Sequence, residues 1–463
     1  MTLSSFHTGR PVVSERPPVT DPFAQPPALA PHQPSSNSET AEVAEPTAPA
    51  APTAPAAPAV PTAQLAEIPH VIDTRDDYLA AVAELARASG PVAVDAERAS
   101  GFRYSQRAYL IQVFRRGAGT YLFDPPAIGS FAELQAAIGT VEWVLHAASQ
   151  DLLCLREVGL EPASLFDTEL GARLAGMPRV GLGAVVEDTL GLHLAKEHSA
   201  ADWSTRPLPP SWLTYAALDV ELLLDVRDRI ADRLDAASKT GLAEQEFAAV
   251  LAKPAAEPRV DPWRRLSGLS SLRGQRALAV ARELWLSRDA YAQEVDTAPG
   301  RLLPDASIVI AARSPLAAKR DLAALKSFTG RTSRTQIDRW WGAIEAGLAT
   351  DDLPPYRSKE ESIPPPRSWA DRSPEADRRY RIVRPRLQEI ADTFALPVEN
   401  LLTPEHVRRL TWSPPAQHDV VSITEALIAV GARPWQVDAT AQAFVDAFVE
   451  ALQVPVEASE HSS

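Results

Sequence analysis

Three apolar residues, Val92-Ala93-Val94, run into two acids one position apart, Asp95 and Glu97, and this stretch constrains the chain more than any other. The run is short and rich in β-branched residues, as buried strands are. On an extended chain alternate side chains share a face, with Cα atoms roughly 6.5–7 Å apart. Both carboxylates therefore converge on one point. Like charges held that close repel and raise each other's pKa unless something neutralises them. Hard divalent cations, which prefer oxygen ligands, do so. A solvated strand end would also read Asp-x-Glu, so the pair gains meaning only from other acids.

The pattern around this strand alternates strand and helix. Thr74 is placed to cap a helix through Arg87, with Leu79, Val82 and Leu85 at helical spacing. Ala108 to Phe114 and Thr120 to Phe123 read as a hairpin, separated by Gly117 and Gly119. A helix over 131–138, a strand Val141 to Leu145 and a short strand at Leu165-Phe166 follow, and helices dominate through Arg233. The expectation is an α/β mixed sheet with flanking helices, then one or two small all-helical domains.

The boundaries follow composition. Residues 1–66 are dominated by Pro, Ala, Ser and Thr and are expected to be a disordered tail. Residues 67–250 form the α/β domain, 251–350 a helical domain, 351–373 a Pro- and charge-rich linker, 374–455 a second helical domain, and 456–463 a disordered tail. The net charge is −14, yet it is unevenly spread. Asp261 to Leu348 carries 14 Lys/Arg against 9 Asp/Glu, whereas Glu67 to Glu244 carries 16 against 26. An acidic module that recruits cations is thus joined to a basic one that suits phosphates. The single cysteine, Cys154, excludes an internal disulfide and a Cys-rich zinc site. It sits in an apolar helical pattern as a packing thiol. No apolar run reaches the roughly 20 residues of a membrane helix, and no secretory signal opens the chain, so a cytoplasmic location is expected.

Two further features join the opening pair. Strand Val141 to Leu145 leads through His146 to Asp151, expected in the first turn of a helix, where an acid suits the helix dipole. An ordinary helix stabiliser would sit there too. Tyr215 and Asp219 are four apart in a helical pattern and share a face, as many surface pairs do.

The order Asp-x-Glu, Asp at the next corner, then Tyr-x-x-x-Asp resembles the DEDD superfamily of 3′→5′ exonucleases, in its tyrosine subgroup. The likeness to the ribonuclease D family extends to Val94-Asp95-Ala96-Glu97, Leu110-Ile111-Gln112, Phe123-Asp124-Pro125, Leu145-His146-Ala147 and Phe166-Asp167-Thr168. Asp202-Trp203, Arg206-Pro207-Leu208 and Tyr215 to Val220 extend it further. Over roughly Ile68 to Ala237 the resemblance implies a ribonuclease-H-like fold. The basic helical region resembles the HRDC domain, through Glu283-Leu284-Trp285, Arg288-Asp289 and Leu303-Pro304-Asp305. Gly431 to Gln436 resembles the C-terminal extension of actinobacterial members.

The resemblance implies a metal-dependent 3′→5′ exoribonuclease that releases nucleoside 5′-monophosphates from RNA such as transfer-RNA precursors. Asp95, Glu97, Asp151 and Asp219 would hold two divalent ions, Mg²⁺ or Mn²⁺, about 3.5–4 Å apart, and Tyr215 would orient the attacking water. Lys196 and Arg206 flank Trp203 and could meet a phosphate while the indole stacks on a base; core packing is the competing reading of Trp203. Arg98 could pair with the acids in the free enzyme or approach a substrate phosphate, but the preferred reading points it to the opposite face; Asp124 and Asp167 are expected to cap turns. A DNA substrate and a nonhydrolytic RNA-binding scaffold are the rival readings. Oligomeric state is not legible.

Overall fold

The computed structural model describes residues 60–195, 198, 200–255, 257–356 and 363–453. Six strands form one mixed sheet: β1 (Val71–Ile72), β2 (Val92–Arg98), β3 (Ala108–Arg115), β4 (Gly119–Phe123), β5 (Glu142–Leu145) and β6 (Ser164–Asp167), in the order β1-β4-β3-β2-β5-β6. β2 pairs antiparallel with β3 and parallel with β5, so the strand carrying Asp95 lies inside the sheet. Val92, Ala93 and Val94 are buried, as a strand covered on both faces requires. The two-residue β1 is too short for an alternating pattern and was not expected.

Helices cover both faces. Arg75–Arg87 begins at Thr74, whose hydroxyl accepts from the amide of Asp77. It buries Tyr78, Ala81, Val82 and Leu85 but leaves Leu79 42% exposed, contrary to the expected face. Tyr78 sets that orientation, its ring packed edge-on against Phe123 and Phe131 at 5.6 and 5.5 Å. On the other face, Pro210–Glu221 lies across β2, β3 and β4 and packs Ala216 and Ala217 with Trp203 against Leu110 and Leu122.

Order reaches further towards the N-terminus than residue 66. Thr62 bridges to His193, and Ala63 and Leu65 join the core of the sheet domain. The remainder of the expected tail, through residue 59, lies outside the described residues, as do 454–463.

A second core, including Trp263, Leu284, Phe328 and Trp340, forms within the basic helical region. A third spans residues 383–448. The expected linker contributes to this last unit: Trp369 is fully buried and packs on Tyr380 and Trp412.

Both helical units are fastened to the sheet domain. Asp296, just beyond the long helix Gln275–Glu294, accepts from the amide of Ser105 at 2.9 Å and from the hydroxyl of Tyr109. Arg301 donates to the carbonyl of Gly101 at 2.7 Å and lies over the ring of Phe102. The segment that follows β2 is thereby pinned. On another side, buried Glu246 accepts from Arg433 at 2.6 Å and from the indole of Trp435 at 2.8 Å. Glu246→Ala leaves the guanidinium without its carboxylate and should weaken this contact by about 2–3 kcal/mol. Hydrogen exchange on the full chain should then quicken in the first turns of Pro434–Gln453; unchanged protection there would contradict it.

Candidate active site

β2 ends where its pairing with β3 breaks step. Glu97 stands opposite Leu110 but Arg98 opposite Ala108, so Tyr109 is an extra residue and the ladder bulges. Asp95 and Glu97 emerge on the face covered by Pro210–Glu221, whose inward side carries Tyr215 and Asp219 one turn apart. Oxygens of Asp95, Glu97 and Asp219 all lie within 4.8 Å of one another.

Asp151 arrives from the neighbouring strand. β5 ends at Leu145, the chain turns through Ala147 at φ 59°, and a short 3₁₀ turn, Ala148–Gln150, precedes the helix Leu152–Glu157. Asp151 thus sits at the cap position before that helix, not in its first turn, and its carboxylate makes no capping bond. The side chain is left for the cavity.

Asp167, at the end of β6, holds this corner. Its carboxylate accepts from the amides of Ala147 and Ala148 at 3.0 and 2.9 Å and from those of Glu169 and Leu170 at 3.0 and 3.1 Å. A turn-capping role was legible in the sequence; the reach across to the Asp151 corner was not. His146 lies with Nδ1 2.9 Å from Thr168 Oγ1, and burial pushes its pKa down to about 4, so the ring is neutral at physiological pH.

Asp95, Glu97, Asp151, Tyr215 and Asp219 line one cavity of about 520 Å³. Arg98 lines it too, its guanidinium 3.7 Å from the Asp151 carboxylate. That overturns the expectation that it faces away: Arg98 is the last residue of β2, and a long side chain at a strand end can turn back towards the acids.

Three secondary expectations fare differently. Trp203 is fully buried, 5.2 Å from the ring of Trp212 and 6.4 Å from that of Tyr215, and so belongs to the core. Arg206 commits four of its five donors inside the protein, to Asp124 at 2.6 Å and to the carbonyls of Tyr109, Trp203 and Thr205, and so braces this loop. Asp124, read as a turn cap, is the partner of that arginine. Lys196 lies outside the described residues.

The electrostatics show what the cavity suits. Burial is the main cause that raises all four carboxyls above their ordinary range, with mutual repulsion adding at Glu97, Asp151 and Asp219. Glu97 is pushed up to about 10. Oxygen donors of one sign, gathered at this spacing, fit hard divalent cations. The stability of the metal-free protein follows from the same shifts. A carboxyl whose folded value is raised contributes stability that is whole below its unfolded value, about 4, and that is lost as pH rises through the folded value. In EDTA the melting temperature should therefore fall as pH rises from 5 to 9. Mg²⁺ or Mn²⁺, which bind the deprotonated oxygens, should raise it most at the alkaline end. Scanning fluorimetry reads both; a metal effect that is constant with pH would contradict the assignment.

Comparison with known proteins agrees in extent and kind. Residues 69–235 match the family model described as a 3′-5′ exonuclease, 277–344 the HRDC domain, and 362–448 a 3′ to 5′ exonuclease C-terminal domain. Ribonuclease D of Jannaschia sp. is 32% identical over 318 residues, covering 66% of this chain and 79% of that protein. Ribonuclease D of Gluconacetobacter diazotrophicus is 34% identical, covering 64% and 77%. A crystal structure of a Bifidobacterium adolescentis protein superposes with a TM-score of 0.77 at 37% identity, covering 83% of this chain and 98% of that one. With three matched modules in this order and relatives aligned over most of their length, the chain belongs to the ribonuclease D family of 3′→5′ exoribonucleases.

Proposed function

We propose that the chain trims RNA from the 3′ end, releasing nucleoside 5′-monophosphates, with transfer-RNA precursors and other small structured RNAs as substrates. Asp95, Glu97 and Asp219 would hold one divalent ion, Mg²⁺ or Mn²⁺, and Asp151 on the same cavity wall would help to hold a second. Bound there, the ions supply a nucleophile at neutral pH and relief of charge on the leaving oxygen. The observation that carries this reading is the grouping of the Asp95, Glu97 and Asp219 oxygens within 4.8 Å.

The protein's own groups do the positioning. Burial and the neighbouring Asp219 and Glu97 charges hold the Tyr215 phenol above its ordinary value, so it keeps its proton and orients water by hydrogen bonding. Neutral His146 braces the corner beside Thr168 without adding charge. Basic residues of the HRDC domain, among them Arg313, Lys319, Arg320, Lys326 and Arg331, grip the RNA backbone. Lys319 pairs with Asp338 and Arg320 with Asp321, both largely exposed. Such pairs are worth at most about 1 kcal/mol and yield readily to phosphate.

The test is a 3′-extended RNA incubated with the full chain and Mg²⁺ or Mn²⁺, beside a DNA of the same sequence. Mononucleotides should accumulate from the RNA and cease with EDTA. Internal cuts without mononucleotide release, or turnover of the DNA alone, would overturn the proposal. RNA binding that persists with no cleavage under any metal would favour a scaffold.

A further inference from the structure

Arg98 is a permanent cation in a cavity otherwise built to receive cations. Its guanidinium stands 3.7 Å from Asp151, too far for a hydrogen bond but close enough for strong attraction. The side chain is 26% exposed. The acids it faces are not equivalent: Asp95, Glu97 and Asp219 form the tight oxygen cluster, and Asp151 stands outside it. The backbone beyond Arg98 is fixed, since Gly101 and Phe102 bond to Arg301 and Ala298, and Ser105 to Asp296. Any displacement of the guanidinium is therefore a rotation of its side chain, not a movement of the strand.

We propose that Arg98 is a tethered counter-ion for Asp151, so that the two metal positions load unequally: the three-acid cluster first, the Asp151 position second and only as the guanidinium swings out. This deepens the metal-site reading above and rests on it. A fixed positive charge about 4 Å from a cation's ligand opposes that cation through a screened Coulomb term, and the weaker site should suffer by roughly tenfold or more. Once displaced, the guanidinium stays in the cavity wall, where a phosphate can meet it.

The experiment is Mn²⁺ titration of the full chain without RNA, followed by calorimetry and by electron paramagnetic resonance. The parent should bind two ions with clearly different affinities. Arg98→Gln should tighten the weaker site about tenfold and leave the stronger within a few fold. Arg98→Lys, which keeps the charge, should stay close to the parent, and Asp151→Asn should lose the weaker site. Melting curves in EDTA confirm that each variant folds. If the parent binds two ions and Arg98→Gln leaves the weaker affinity unchanged or lowers it, the counter-ion role is wrong while the metal sites stand. If the parent binds no Mn²⁺, the metal-site reading falls and this inference with it.

Discussion

Asp95→Asn and Asp219→Asn should each cut turnover by about a thousandfold or more while leaving RNA affinity within a few fold. The amide keeps the size of the side chain and removes the charge that would hold a cation. Several kcal/mol of barrier lowering depend on such ions, and each 1.36 kcal/mol is tenfold in rate. On the proposed reading phosphate affinity resides mainly on the basic helical domain, which these changes do not touch. Single-turnover digestion of a labelled RNA and fluorescence anisotropy separate the two quantities. A second signature distinguishes this from general damage. Asp219 is buried and its carboxyl raised by burial and by Asp95, so removing its charge relieves repulsion. Asp219→Asn should therefore melt higher than the parent in EDTA and gain less from Mg²⁺. Loss of activity with a lowered melting temperature in EDTA would point to misfolding and against the assigned role.

Asp167→Ala should be nearly as damaging for a different reason. Four amides, of Ala147, Ala148, Glu169 and Leu170, would lose their acceptor at once. An orphaned buried donor costs about 1–3 kcal/mol, and partial rescue by water limits the sum to roughly 3 kcal/mol here. The corner that presents Asp151 would relax, and a displacement near 1 Å in a catalytic constellation costs about a hundredfold. We expect a fall in kcat of that order, weaker binding at one metal position, and a lower melting temperature both with and without metal. Asp167→Asn keeps one acceptor oxygen and should fall between. An alanine variant with parental kcat would show that the corner holds its shape without this carboxylate.

Much of the site was legible because its acids follow local periods. Asp95 and Glu97 obey the two-residue repeat of a strand, and Tyr215 and Asp219 the one-turn repeat of a helix. Asp151 was legible as the residue at a strand-to-helix corner, although its place at the cap rather than in the first turn depends on the 3₁₀ turn before it. What could not be read were consequences of distant partners. Arg98 turns back to Asp151 from the last position of β2, where the ladder with β3 breaks step at Tyr109, and nothing within β2 announces either. Arg206 finds Asp124 across 82 positions, and Trp203 is sealed by the helix that follows it in the chain. The exposed Leu79 and buried Tyr78 show the same limit: helical spacing defines a stripe, and the rings of Phe123 and Phe131 decide which neighbour fills it.

The arrangement of the acids also bears on when the protein can act. They arrive from an inner strand, from a corner braced by the end of β6, and from a helix laid over the sheet much later in the chain. Such non-local closure comes late in folding, after the loop entropy has been met. On the proposed reading, an emerging or half-assembled chain has no cutting centre until its whole α/β body is complete.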